Sequence, residues 1–168
     1  MKLQTRVPPL ALAAGAALAQ HLLARASTPR SNVRLAAASG LAAASTALLG
    51  SSVMEFRRNR TSVNPMSPDV VTALVTEGPH RFTRNPMYVG MAGLLAANAV
   101  ARGRLIAVVP VVGFVLAIDR LQIPAEETAL RARFPDDYDA YVRAVPRWLG
   151  RSSLRVGENQ LPQGSAGR

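Results

Sequence analysis

The chain has 168 residues, 49% of them hydrophobic, and 20 Lys+Arg against 10 Asp+Glu give it a net charge of +10. One domain's worth of material is the bound set by length, and zero cysteines exclude disulfides, thiolate metal sites and cysteine nucleophiles. The two histidines, His21 and His80, stand far apart and aromatic residues are few, so neither a histidine metal centre nor a nucleic-acid partner is expected. A membrane carrying anionic lipid suits the basic charge better.

Apolar residues gather in four blocks, at about 8–24, 35–54, 86–101 and 105–123. That distribution predicts an all-α integral membrane protein with about four transmembrane helices, rather than a soluble core with an evenly patterned surface. A bilayer core of about 30 Å needs roughly 20 helical residues, and only the second block reaches that length comfortably. The first block has two readings. Lys2 and Arg6, an apolar stretch, and Ala24-Arg25-Ala26 before Ser27 fit either a first span or a cleavable secretory signal. Small residues four apart (Ala11, Gly15 and Ala19; Gly40 and Ala44; Gly93 and Ala97) fit either close helix packing or an alanine-rich composition.

The loop after the second block ends in GPHRFTRNPMYVG, residues 78–90. Gly78-Pro79 predicts a turn, and Asn85 before Pro86 predicts a capped helix start. A helix N-terminus with Arg81 and Arg84 in the preceding turn suits an anion, either a bound carboxylate or phosphate or a lipid headgroup. Arg102-Gly103-Arg104 then predicts a tight hairpin between the third and fourth blocks. The fourth reaches span length only through Asp119, Arg120 and Gln122, which are expected at an interface or lining a cavity. Pro110 and Gly113 are candidate bends in it.

From 124 to 150 the chain reads PAEETALRARFPDDYDAYVRAVPRWLG. Pro124 with Glu126 and Glu127 predicts a new helix start, and Glu127 with Arg131 an i,i+4 pair. Leu130, Phe134, Tyr138 and Tyr141 follow an amphipathic pattern. The segment 119–150 is expected as a cytoplasmic helical cap on the transmembrane region 1–118, and the Gly/Ser/Gln/Arg-rich tail 151–168 as disordered. With all four blocks spanning, fifteen of the twenty basic residues fall on one side, which predicts both termini cytoplasmic in a bacterial-type cell membrane.

The order of GPHRFTRNPMYVG, EETAL at 126–130, FPDDYDAY at 134–141 and VPRWLG at 145–150 resembles the isoprenylcysteine carboxyl methyltransferase family and its phospholipid methyltransferase relatives. The resemblance implies an enzyme that uses S-adenosylmethionine to methylate a lipophilic acceptor: an isoprenoid, a phospholipid amine or a hydrophobic small molecule. It implies one wall of the cofactor site from Gly78, Pro79, His80, Arg84, Asn85, Pro86 and Tyr88, and another from Glu126 and Glu127. Tyr138, Tyr141, Pro146 and Arg147 would come from the cap, with Glu127 and Arg147 as the catalytic pair and no metal. The chain departs from the pattern where many members carry histidine at Asn85 and tyrosine or phenylalanine at His80. Glycine is commoner at Pro135, and proline at Gly150. Asn85 leaves no acid or base at its position. Two other classes fit the same helix layout: a steroid-reductase-like enzyme using NADPH, and a non-catalytic four-helix membrane protein.

Overall fold

In a computed structural model of the chain, the structure describes residues 7–25, 28–29, 31–59 and 73–150. All regular structure among them is helical. Helix α1 spans Pro9–Leu23, α2 Asn32–Arg58 and α3 Pro86–Arg102. A helical rod then runs from Leu105 to Arg133. It opens with a 3-10 turn, becomes α4 (Val109–Ala117), widens into a π turn at Ile118–Gln122 and tightens again as α5 (Ile123–Arg133). Helix α6 (Pro135–Ala144) follows. The reading of 151–168 as disordered falls outside the described residues.

Pro124 stands in the first turn of α5, as predicted, but α5 does not begin as a separate helix: it continues the rod, which runs unbroken from Leu105 to Arg133. Proline in an α-helix removes a hydrogen bond and collides with the carbonyl four residues back. Here that carbonyl belongs to Arg120, inside the π turn, where the backbone is already widened. The hairpin is as predicted: α3 ends at Arg102 and Gly103 takes a left-handed φ of 63°.

The helices alternate in direction. Ser45 and Leu49 of α2 lie against Gly93 and Gly90 of α3, so a Cβ on Gly90 would stand 2.6 Å from Leu49 Cγ and one on Gly93 would collide with Ser45 Oγ. Close approach therefore occurs at Gly93, whereas Gly15 and Gly40 face open space. Helix α1 is tied in by Gln20, which is fully buried. Its Nε2 donates to the carbonyls of Leu95 (2.9 Å) and Ala107 (2.8 Å), and its Oε1 accepts from Asn98 Nδ2 (2.7 Å). Both donors and the acceptor oxygen of that amide thus have a partner on α3 or at the head of the rod, as a polar group amid apolar helices requires.

Tyr88, Met91 and Leu95 of α3 pack against Phe114, Ile118 and Ile123 of the rod to form the main core. A separate cluster of Tyr138, Tyr141 and Val145 rests on Leu130 and Phe134. It realises the amphipathic pattern read from the sequence. Large apolar side chains remain uncovered along the outside, among them Leu10, Val33, Val109, Val112 and Leu116. Asn32–Arg58 and Leu105–Arg133 are long and apolar enough to cross a bilayer, and their uncovered faces match a lipid solvent.

Candidate active site

The loop before α3 is folded onto the end of α2. Gly78 has a φ of 58°, and a Cβ there would meet Glu55 Cγ at 2.9 Å. Pro79 continues this 3-10 turn, which delivers His80 to the interior. The His80 ring meets Phe56 edge-on at 5.2 Å, and burial pushes its pKa down to about 4. Its backbone carbonyl accepts from Tyr141 Oη at 2.7 Å, which fastens α6 to the loop.

The segment after α6 runs beside this loop. Arg84 N donates to the Pro146 carbonyl at 2.9 Å, while Thr83 Oγ1 and Asn85 Nδ2 donate to the Arg147 carbonyl at 2.9 and 3.1 Å. The expected side-chain cap by Asn85 is therefore corrected: its amide binds the Arg147 backbone and makes no cap bond to α3. Pro86 is fully buried at the first position of that helix.

These backbone ties bring the charged residues together. Glu127 accepts from Arg147 through Nε (3.1 Å) and Nη2 (2.7 Å), a two-pronged contact, and pairs with Arg84 Nη1 at 2.9 Å. Arg147 Nη1 also reaches Asp119 Oδ1 at 3.2 Å, where Trp148 Nε1 donates at 2.9 Å. Arg84 further donates to Tyr138 Oη at 3.2 Å, and its own Nε is buried without a partner. One residue along α5, Glu126 Oε1 accepts from Tyr88 Oη and from Gln122 Nε2 at 2.8 Å. One predicted ion arrangement differs from the structure. Arg131 pairs with Asp139 at 2.8 Å instead of Glu127, because Glu127 faces inward to Arg84 and Arg147. Arg81, read as standing with Arg84 at an anion, pairs with Glu77 at 2.7 Å.

Arg84, Asn85, Tyr88, Glu126, Glu127, Tyr138, Pro146 and Arg147 thus gather at one end of the bundle, while Gly78, Pro79 and His80 shape the loop behind them. Tyr138 and Tyr141 stand in the packed cluster on α6 with their hydroxyls engaged, and burial raises the pKa of both phenols. Asp119, Gln122, Thr83 and Trp148 belong to the same network without having been singled out as site residues. Asp119 carried a signal, since an acid at the end of an apolar run is by default functional. The π turn that presents it has no such signature.

The architecture is that of an all-helical membrane protein with a charged, hydrogen-bonded site at one end of its bundle. The phospholipid methyltransferase family matches residues 33–137, and the chain belongs to that family of membrane methyltransferases. It is similar to an uncharacterised protein of Haemophilus influenzae, 38% identical over 63 residues that cover 38% of this chain and 100% of that one. It is 32% identical over 89 residues to the nickel-cobalt-cadmium resistance protein NccN of Alcaligenes xylosoxydans xylosoxydans, covering 52% of this chain and 41% of the relative. The cobalt-zinc-cadmium resistance protein CzcN of Cupriavidus metallidurans is 32% identical over 87 residues, covering 51% and 39%. The chain therefore spans about 40% of each of these two longer relatives. No solved structure matches.

Proposed function

We propose that this chain transfers a methyl group from S-adenosylmethionine to a lipophilic acceptor at the cytoplasmic face of a cell membrane, with all four bundle helices crossing the bilayer. One observation carries the reading: Glu127 is held by Arg84 and Arg147, which draws three separated sequence segments to the start of α3.

The donor set fits S-adenosylmethionine. Arg84 and Arg147 stand against Glu126, Glu127 and Asp119, with the exposed Arg120 touching Asp119 from outside. The inner cluster thus has one more acid than base, which favours a ligand with excess positive charge. The unpartnered Nε of Arg84 offers a buried donor to a carboxylate. Arg84 and Arg147 would hold that carboxylate, and Glu126 or Glu127 the ammonium or the ribose hydroxyls. S-adenosylmethionine supplies a methyl already activated on a sulfonium. The protein's task is then positioning, which lowers barriers by up to roughly 7–11 kcal/mol. Tyr88 fixes Glu126, and Thr83 and Asn85 fix the Arg147 backbone, so both walls are braced by hydrogen bonds. A carboxylate or thiolate acceptor needs no base at this step, whereas an ammonium must first lose a proton. Neither Asn85 nor the buried His80, neutral at pH 7, is suited to take it.

Calorimetry of detergent-purified protein with S-adenosylmethionine, and with NADPH in parallel, tests the proposal. Heat and a thermal shift are expected with the first alone. A response to NADPH only would favour a reductase, and silence toward both a non-catalytic protein.

A further inference from the structure

Beside α3, on the side covered by α1, runs an open groove of about 690 Å³. Leu10, Ala14, Leu49, Met91 and Leu94 line it, and Arg102 stands at one end. Met87 marks the other end, and the fifteen helical steps from one to the other cover about 22 Å at 1.5 Å each. The groove is thus longer than one bilayer leaflet is deep, roughly 15 Å.

The Arg102 end has an unusual charge environment. The sequence holds no Asp or Glu from residue 1 to 54 or from 78 to 118, yet the described connections at this end carry Arg25, Arg34, Arg102 and Arg104. Arg34 lies against Gly103 and donates from Nη2 to the Pro29 carbonyl at 2.7 Å. Arg102 Nη2 is 3.5 Å from His21 Nδ1, and Arg102 Nε is buried without a hydrogen-bond partner. None of the ion pairs among the described residues involves Arg102. A cationic end without acids calls for an anion from outside the chain, and an apolar trough leading away from it calls for a hydrocarbon chain on that same anion.

We propose that the groove seats one acyl chain of an anionic phospholipid whose phosphate is held by Arg102, at the end of the bundle remote from the candidate active site. The site requires only that the bundle stand in a membrane. Its readout is lipid binding, so its failure would leave the methyl-transfer reading untouched.

Native mass spectrometry and thermal unfolding in mild detergent test it, with phosphatidylglycerol, phosphatidylcholine of the same chains, and inorganic phosphate as probes. Phosphatidylglycerol is expected to bind and stabilise most, and phosphate alone to do neither. Arg102→Gln should weaken phosphatidylglycerol binding about fivefold, the effect of one surface cation on an anionic lipid, and leave phosphatidylcholine unchanged. Arg102→Lys should keep the preference, and Leu94→Trp, which fills the groove, should weaken both lipids. Arg81→Gln, at the opposite end, should change nothing. Equal binding of the two lipids, an undiminished preference in Arg102→Gln, or stabilisation by phosphate alone would overturn the proposal. Should Arg102→Gln fail to fold, the lipid comparison on the unaltered protein and on Leu94→Trp decides.

Discussion

Glu127 is the residue on which the polar end of the molecule turns, because it is shared by two arginines from different segments. Its side chain is 15% exposed and that of Arg84 11%, so removing the acid leaves a nearly buried guanidinium without its counter-ion. Loss of one partner from such a pair costs about 3 kcal/mol, and Glu127→Gln is expected to lower the thermal unfolding midpoint accordingly. Arg147, one-third exposed, is the better probe of function. Arg147→Ala should leave the protein folded yet cut turnover about 100-fold by loosening the site geometry. Unchanged kinetics would remove Arg147 from the site. His80 sets the response to acid. Burial holds its folded pKa near 4, below the usual imidazole value of 6.5, so on acidification the unfolded chain takes up the proton first. Stability is fully present above pH 6.5 and falls as the pH drops toward 4, by up to about 3 kcal/mol at roughly 1.4 kcal/mol per pKa unit. His80→Phe should flatten that part of a melting-temperature profile; an unaltered acid slope would mean that other groups control it.

At the scale of elements, the π turn at Ile118–Gln122 decides where the acids point. A π turn holds one more residue than an α turn, and each α-helical residue rotates the chain by about 100°. The extra residue lets the apolar face of α4 and the Glu126–Glu127 face of α5 both look toward α3. Deleting exposed Leu121 should therefore restore an ordinary α turn and preserve both faces. Deleting Leu116 should turn everything downstream by about 100° and separate Glu127 from Arg84. Thermal unfolding of the two deletion variants checks this, with Leu116 deletion expected to melt far lower; equal losses would deny the π turn its role. The helices and the Gly103 hairpin were legible because hydropathy and turn chemistry act locally. The apolar cluster of α5 and α6 was legible because Leu130, Phe134, Tyr138 and Tyr141 follow one amphipathic pattern. Asn85 was misread because tertiary context overrides its local preference: the Arg147 carbonyl takes the asparagine amide. The Asp119–Trp148 contact joins residues 29 apart, and no local pattern records it.

At the scale of the whole molecule, charge divides the bundle along its axis. The ion pairs among the described residues lie at or beyond the candidate active-site end, whereas the connections at the opposite end carry arginine without any acid. The count of basic residues, fifteen against five, favours the active-site end as the cytoplasmic one. The lack of native cysteine makes this directly measurable, since a single introduced thiol labels without background. Leu105, 91% exposed at the hairpin, and Asp136, exposed at the start of α6, report on the two ends. Because α3 and the rod run in opposite directions between them, an impermeant thiol reagent applied to intact cells should label Leu105→Cys. It should reach Asp136→Cys only after the membrane is opened. Labelling of both from outside would mean that the α3–rod hairpin does not cross the bilayer; the reverse pattern would place the charged site on the outer face, beyond reach of a cytoplasmic methyl donor.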